Sequence, residues 1–172
     1  MNLKARRRSA RGQGLVEFAL ILPIFMICLV AVFDLGHVVW ANDALANAAR
    51  EAARFAIVHG GSDSTVCPVG PLDPLKTAPA PTASCPNPSP SRQAVKDVAI
   101  DRAMGSGGAL TVSVCYGNVS TCQNDTDEPG ATNARGTAVT VTVSAQVALA
   151  VPSFFHIDSF TLSSSSTMLV NH

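Results

Sequence analysis

Beyond Phe33 the chain lacks any excess of basic residues: seven Lys and Arg stand against eleven Asp and Glu. With no basic patch in that portion, nucleic acid is excluded as its partner. The chain also lacks a Cys-x-x-Cys pair, and no histidine stands near Cys67, Cys85, Cys115 or Cys122 in sequence, which disfavours zinc. His37, His59, His156 and His172 are scattered, with no His-x-x-x-His spacing. Neither Ser64 nor the serine run 163–166 has a base beside it. No nucleophile, base and orienting group come together, so the expectation is a non-enzyme with no metal and no cofactor. Asp34 and His37, at i and i+3, read as a polar spot at the end of an apolar run rather than as a metal site. The stretch "NDTDEPG" opens like a calcium loop. It lacks a third ligand, and Gly136 stands where loop position twelve needs a glutamate, so it reads as a solvated turn.

What is present is concentrated at the start. Five of the twelve basic residues, Lys4, Arg6, Arg7, Arg8 and Arg11, precede an apolar run. From Gly14 to Phe33, twenty residues carry one charge, Glu17, and one proline, Pro23. Twenty helical residues cover about 30 Å, the thickness of the hydrocarbon core of a bilayer. A cleaved secretory signal is the competing reading, and "ALA" at 44–46 has the letters of a cleavage site. That site lies about a dozen residues past the run, and signal h-regions span only about 7–15 residues. A retained anchor fits better, with the basic head in the cytoplasm and the remainder across the inner membrane. A nucleic-acid arm is the lesser alternative for the basic head.

The four cysteines after Cys28 then read as two disulfides in an exported domain, with three possible connectivities. Local loop closure favours Cys67–Cys85 and Cys115–Cys122. Helix is expected from Gln13 to Val58, with the membrane-spanning part at 14–33 and a kink or local melting at Pro23. After the span, Ala41, Ala44, Leu45, Ala48, Ala49, Ala52, Ala53 and Ala56 recur with a period near 3.6, an amphipathic pattern. His59-Gly60-Gly61 supplies a stop. Residues 59–90 form a loop, and eight of the eleven prolines fall within 62–90. Residues 91–172 are expected as a small α+β domain. Ser91 would cap a helix with Ala94, Val95, Val98, Ala99 and Arg102 on one side. Three strands would follow: "LTVSVCY", with Leu110, Val112, Val114 and Tyr116 on one face, then "TAVTVTVSAQVAL", both half-buried by their alternation, then "SFTLSSSSTMLV" after a turn at "VPSFFHID". The fold class is α+β, a long N-terminal transmembrane helix followed by one helix on a roughly three-stranded antiparallel sheet.

Glu17 stands five residues after Gly12, behind a basic head and at the start of an apolar helix. Gly-x-x-x-x-Glu in that setting resembles the processing pattern of type IV pilin-like proteins. The segment "GQGLVEFALILPIFMICLVAVFDLGHVVWANDALANAAREAARFAI" closely resembles the TadE-like minor pilin (pseudopilin) family of the tight-adherence pilus system. Glu17-Phe18 is like the glutamate-aromatic step of that family's processing site, and "ALANAAREAAR" is like its alanine-rich helix. The ending "VPSFF…FTLSSSSTMLV" is similar more loosely, and the middle is not matched. The resemblance implies a cut after Gly12 by a prepilin peptidase. Gln13 then becomes the new N-terminus, in place of the phenylalanine of many type IV pilins, with Glu17 fifth. It implies subunit packing through Glu17, and partnership with membrane lipid, other pilin-like subunits and the inner-membrane assembly platform. The outer part is longer than a minimal major pilin, so a minor or initiating subunit is expected. The alternative is an unprocessed bitopic envelope protein whose outer domain binds a ligand or partner.

Overall fold

In the computed structural model the described residues are 10–59, 69–71, 92–105, 108–151 and 160–171. Alanine sets the architecture. A helix whose core-facing side chains are methyl groups can lie close to a sheet while keeping the highest helix propensity. The chain uses this in α1, Ala10–Val58, whose second half buries Ala41, Leu45, Ala48, Ala49, Ala52, Ala53 and Ala56 completely. Ala44, expected on that face, is only half-buried. The helix is already formed at Ala10, the first described residue, ahead of the expected Gln13. It runs as one element through Pro23, so no melting occurs there. The proline withholds one N–H, and the remaining backbone bonds of a 49-residue helix suffice to carry it past. At its end, the His59 amide donates to the Phe55 carbonyl at 3.1 Å, and Nδ1 of His59 lies 3.0 Å from the same oxygen.

The rest is α2 (Gln93–Arg102) and three strands: β1 (Leu110–Tyr116), β2 (Ala138–Val147) and β3 (Phe160–Leu169). The strands form an antiparallel meander in the order β1-β2-β3. Val112 pairs with Val143, Val114 with Val141 and Tyr116 with Val139, which places their side chains on one face. That face packs on α1 and α2 and buries Val114, Tyr116, Val139, Val141, Val143 and Ala145. Each valine so buried contributes roughly 1.5–3 kcal/mol. Leu162 and Met168 of β3 pack against the same cluster.

Three sequence expectations are corrected. The N-cap of α2 is Arg92, which makes no side-chain capping bond; Ser91 lies outside the described residues. Arg102 is exposed, and Ala103 takes the buried place one residue on. β1 is not half-buried: Ser113 and Cys115, on the face away from the helices, are buried too. The cause is a cover. Cys115 and Cys122 are joined with Cα atoms 5.6 Å apart, which folds the segment after β1 back over the strand. The turn expected at "VPSFFHID" and the Cys67–Cys85 pairing lie outside the described residues, Val151 apart.

Beside this core, residues 69–71 are held under Tyr116. Asn133 donates through Nδ2 to the Val69 carbonyl at 3.0 Å and through its backbone to the Pro71 carbonyl at 2.8 Å. Gly70, with φ of 82°, faces the Tyr116 ring so closely that a Cβ would lie 2.1 Å from it.

The alanine face tests directly. Ala49→Leu adds volume where none is free and should lower stability by about 1–3 kcal/mol. Asn42→Leu, on the exposed side of the same helix, should not. Thermal unfolding of the two variants in detergent checks this; equal melting points would show that the helix–sheet contact is not tight.

Candidate functional site

The residues expected at the processing site lie on the first turns of α1. Gly12, Gln13, Glu17 and Phe18 are all exposed. Gln13 and Glu17, one helical turn apart, share a face, and Nε2 of Gln13 donates to Oε1 of Glu17 at 3.3 Å. A Cβ at Gly12 would meet nothing within 4 Å. No contact within the described chain therefore requires glycine there, although glycine inside a helix costs about 0.5–1 kcal/mol against alanine.

The apolar residues that follow are equally bare. Leu15, Phe18, Ile21, Phe25, Val32 and Phe33 lie on all sides of the helix and are exposed, with no described part of the chain packed over them. The most apolar 18-residue window of α1 is 0 % buried, whereas the core helix of a water-soluble domain would be covered. Among the described residues, one helix is thus long and apolar enough to cross a membrane. Cys28, on the same stretch, is a free exposed thiol.

Asp34, directly after the apolar run, does more than mark a polar spot beside His37. Its carboxylate accepts from the backbone amides of Ala150 at 3.1 Å and Val151 at 2.8 Å. The His37 ring turns instead toward Trp40, with centroids 6.2 Å apart. The segment after β2 is thereby tied to α1 where the apolar run ends. A second tie lies nearby: a Cβ at Gly105 would come within 2.5 Å of the Trp40 ring, so the end of α2 rests on that indole.

The "NDTDEPG" stretch is more than a solvated turn: Asn124, Thr126, Glu128, Pro129 and Gly130 are exposed as expected, but Asp125 and Asp127 are half-buried. Asp125 Oδ1 accepts from the Val114 amide at 2.9 Å and Asp127 Oδ1 from the Tyr116 amide at 2.8 Å. Their other oxygens pair with Lys96 and Arg92 of α2. The match is one of periods. Asp residues two apart meet strand amides two apart, and basic residues four apart on a helix meet both. Asp-x-Asp and Arg-x-x-x-Lys spacings were visible in the sequence, but their relation was not. Burial raises the Asp125 pKa, but the Lys96 hydrogen bond, the Val114 amide and the charges of Lys96 and Arg92 outweigh it and hold the carboxyl below its usual range. Burial pushes the Tyr116 phenol well up; Arg92 opposes this and Asp127 adds to it.

The outer face of the sheet carries hydroxyl groups in register. Thr111, Ser144 and Ser163 form one row, and Ser113, Thr142 and Ser165 the next. Thr140 and Thr167 face each other at 2.9 Å between their hydroxyl oxygens. With the 119–124 segment as one wall, these residues line a groove of about 460 Å³.

Compared with known families, residues 12–54 match the model described as "TadE-like protein". The match opens at Gly12 and stays within α1, so the sheet and α2 lie outside it. No curated protein and no solved structure matches the chain.

The acidic clamp on β1 predicts acid sensitivity. A carboxyl held below its unfolded pKa stabilises the fold while ionised, and that contribution is lost as pH falls through the folded value. The melting point of the domain should therefore drop as pH is lowered from about 5 toward 2. Asp125→Asn should melt lower at neutral pH and show a shallower acid dependence. Parallel pH–melting curves for wild type and variant would refute the clamp.

Proposed function

We propose that this chain is a minor pilin-like subunit (pseudopilin) of a tight-adherence, type IVc pilus assembly or secretion system. In this reading a prepilin peptidase cuts it after Gly12, and it packs with other subunits through its N-terminal helix. The observation that carries the proposal is the division of α1. One continuous helix, TadE-like over most of its length, leaves its first half bare on every side and buries one face of its second half in the domain core. Such a helix needs two hosts. The domain is one; the bilayer, and after extraction the helices of neighbouring subunits, is the other. The same division supports an anchor over a secretory signal. A cut at residues 44–46 would sever α1 at Leu45, which is fully buried in the core.

Around the processing site, the proposed roles follow from chemistry. Hydrolysis of the Gly12–Gln13 peptide bond separates the basic head and leaves a new amine on Gln13. Glycine leaves the scissile bond open to the peptidase, and the empty space around Gly12 supports that role. Glu17 sits at the shallow end of the span. A carboxylate at membrane depth costs roughly 2.5–3.5 kcal/mol on insertion scales unless it is paired. The Gln13 amine of an adjacent subunit is a partner of the right charge, and only one stagger of two parallel helices brings the groups together. The basic head places the N-terminus in the cytoplasm and the sheet domain outside, with the assembly platform of the inner membrane as a further partner. The role proposed is structural rather than catalytic.

One observation favours the other reading, an unprocessed envelope protein whose outer domain binds a ligand. The hydroxyl-lined groove is uncharged and open to an extended polar molecule. N-terminal sequencing from the native host separates the two. A mature chain beginning at Gln13 supports the pilin-like reading, and a full-length chain in host cells that assemble pili overturns it. Gly12→Val should block the cut and leave the longer form in the membrane.

Glu17→Gln separates pairing from tolerance. It keeps shape and hydrogen-bonding capacity and removes the charge. Processing and insertion should persist while co-purification with other pilin-like subunits falls. Wild-type pilus yield from the processed variant would sink the pairing.

A further inference from the structure

The sheet domain has two unlike ends. At the end farther along α1 lie Arg92, Lys96, Asp125, Asp127, Glu128 and Arg135. At the near end, residues 103–105, 108–112, 144–151 and 160–163 carry no charged side chain at all. This near end is fixed at the level where the apolar run stops. Asp34, one residue past Phe33, holds the amides of Ala150 and Val151, and Trp40 supports the end of α2 at Gly105. Phe160, opposite Val147 in the sheet, belongs to the same end. Large apolar groups are exposed around it: Met104 at 70 %, Phe160 at 55 % and Trp40 at 52 %, with Leu35 and Val39 on the adjoining turn of α1.

Exposed apolar side chains are ordinary on a protein surface when scattered. Here three observations coincide: they gather at one end, the described residues there carry one charged side chain, Asp34, whose carboxylate is taken up by the Ala150 and Val151 amides, and two ties hold that end beside the exit of the span. From Phe33 to Trp40 the helix rises about 10 Å. The headgroup layer on one side of a bilayer is about 5–8 Å thick. Asp34, about 1.5 Å past Phe33, therefore ties the near end within that layer, and Trp40 stands at its outer edge with a side chain that leans back toward it, where tryptophan and other amphipathic side chains are favoured.

We infer that the near end of the domain is a membrane-surface contact. Met104, Phe160 and Trp40 seat in the interfacial layer of the same bilayer that α1 crosses. The domain then rests on the membrane rather than standing off it on a stalk. The partner is a phospholipid surface, recognised by apolar insertion. Among the described residues of the near end no cation is available for acidic lipid except Arg102 at its margin, beside Asp101, so the contact argued here does not require anionic headgroups. The inference rests on the reading of α1 as a membrane span.

The chain has one tryptophan, which makes the test direct. Full-length protein is placed, one copy per disc, in phosphatidylcholine nanodiscs with or without brominated acyl chains, and Trp40 emission is read first. Then Trp40→Phe serves as background for single probes: Met104→Trp and Phe160→Trp at the near end, Leu169→Trp at the far end, and Phe25→Trp within the span. Quenching at Trp40, 104 and 160 should be several-fold stronger than at 169, weaker than at 25, and unchanged when anionic lipid is added. Strong quenching at 25 with 104 and 160 no different from 169 overturns the surface contact and leaves the span standing. No quenching at 25 removes the span and the contact with it. Blue-shifted emission at 104 and 160 that appears only with several copies per disc, without bromine quenching, assigns the patch to a second copy and overturns the lipid contact.

Discussion

The packing of α1's alanine face against the sheet is the contact on which the rest of the structure depends. It is the means by which a helix made for an apolar host becomes part of a folded domain without a joint. The seven core-facing positions from Ala41 to Ala56 are fully buried, and six of them are alanine. Small side chains bring backbone and sheet together, and they leave the volume of the core to valines and Tyr116 from the strands. Larger residues on α1 would have held the sheet away and left α2 without a partner.

The same scarcity of large residues explains how the edges are held. A three-stranded sheet with two helices on one face has little core, so the strands need support along their margins. β1 receives it from side chains: Asp125 and Asp127 take the amides that a fourth strand would have taken. Because both carboxylates also pair with basic side chains at the start of α2, the loop joins helix to strand at the end farther from the apolar run. Beside the apolar run the joining group is Asp34. Carboxylates accepting backbone amides thus hold the domain at both ends, in place of the larger apolar contacts that the composition does not supply.

Much of this was legible because it follows from periodicity. The alanine pattern, the alternation along β2 and the two-residue period of "LTVSVCY" depend only on local geometry, and they located the helix, the strands and most of the core. The Gly12–Glu17 spacing is readable for another reason: Gly12, Glu17 and the apolar run lie within a few turns of one helix, so their relation is visible in the chain itself. Asp34 is different, since its partners stand 116 and 117 residues away and no local pattern announces them. Asp125 and Asp127 resembled a turn because the strand they cap and the helix they pair with are separate elements. Ser113 and Cys115 read as solvent-facing because alternation describes one strand, whereas their burial comes from a segment that the Cys115–Cys122 bond folds over them.

Because α1 is continuous from Ala10 to Val58, one screw relates Glu17 to the sheet. Each residue added or removed between the span and Ala41 would turn the domain by about 100° about the helix axis and shift it by about 1.5 Å. The direction in which the hydroxyl-lined face looks is therefore indexed to the direction of the carboxylate. In any array where neighbouring helices are set by Glu17, the azimuth of every outer domain is set at the same time. The length of the helix between them is a measure of angle as much as of distance.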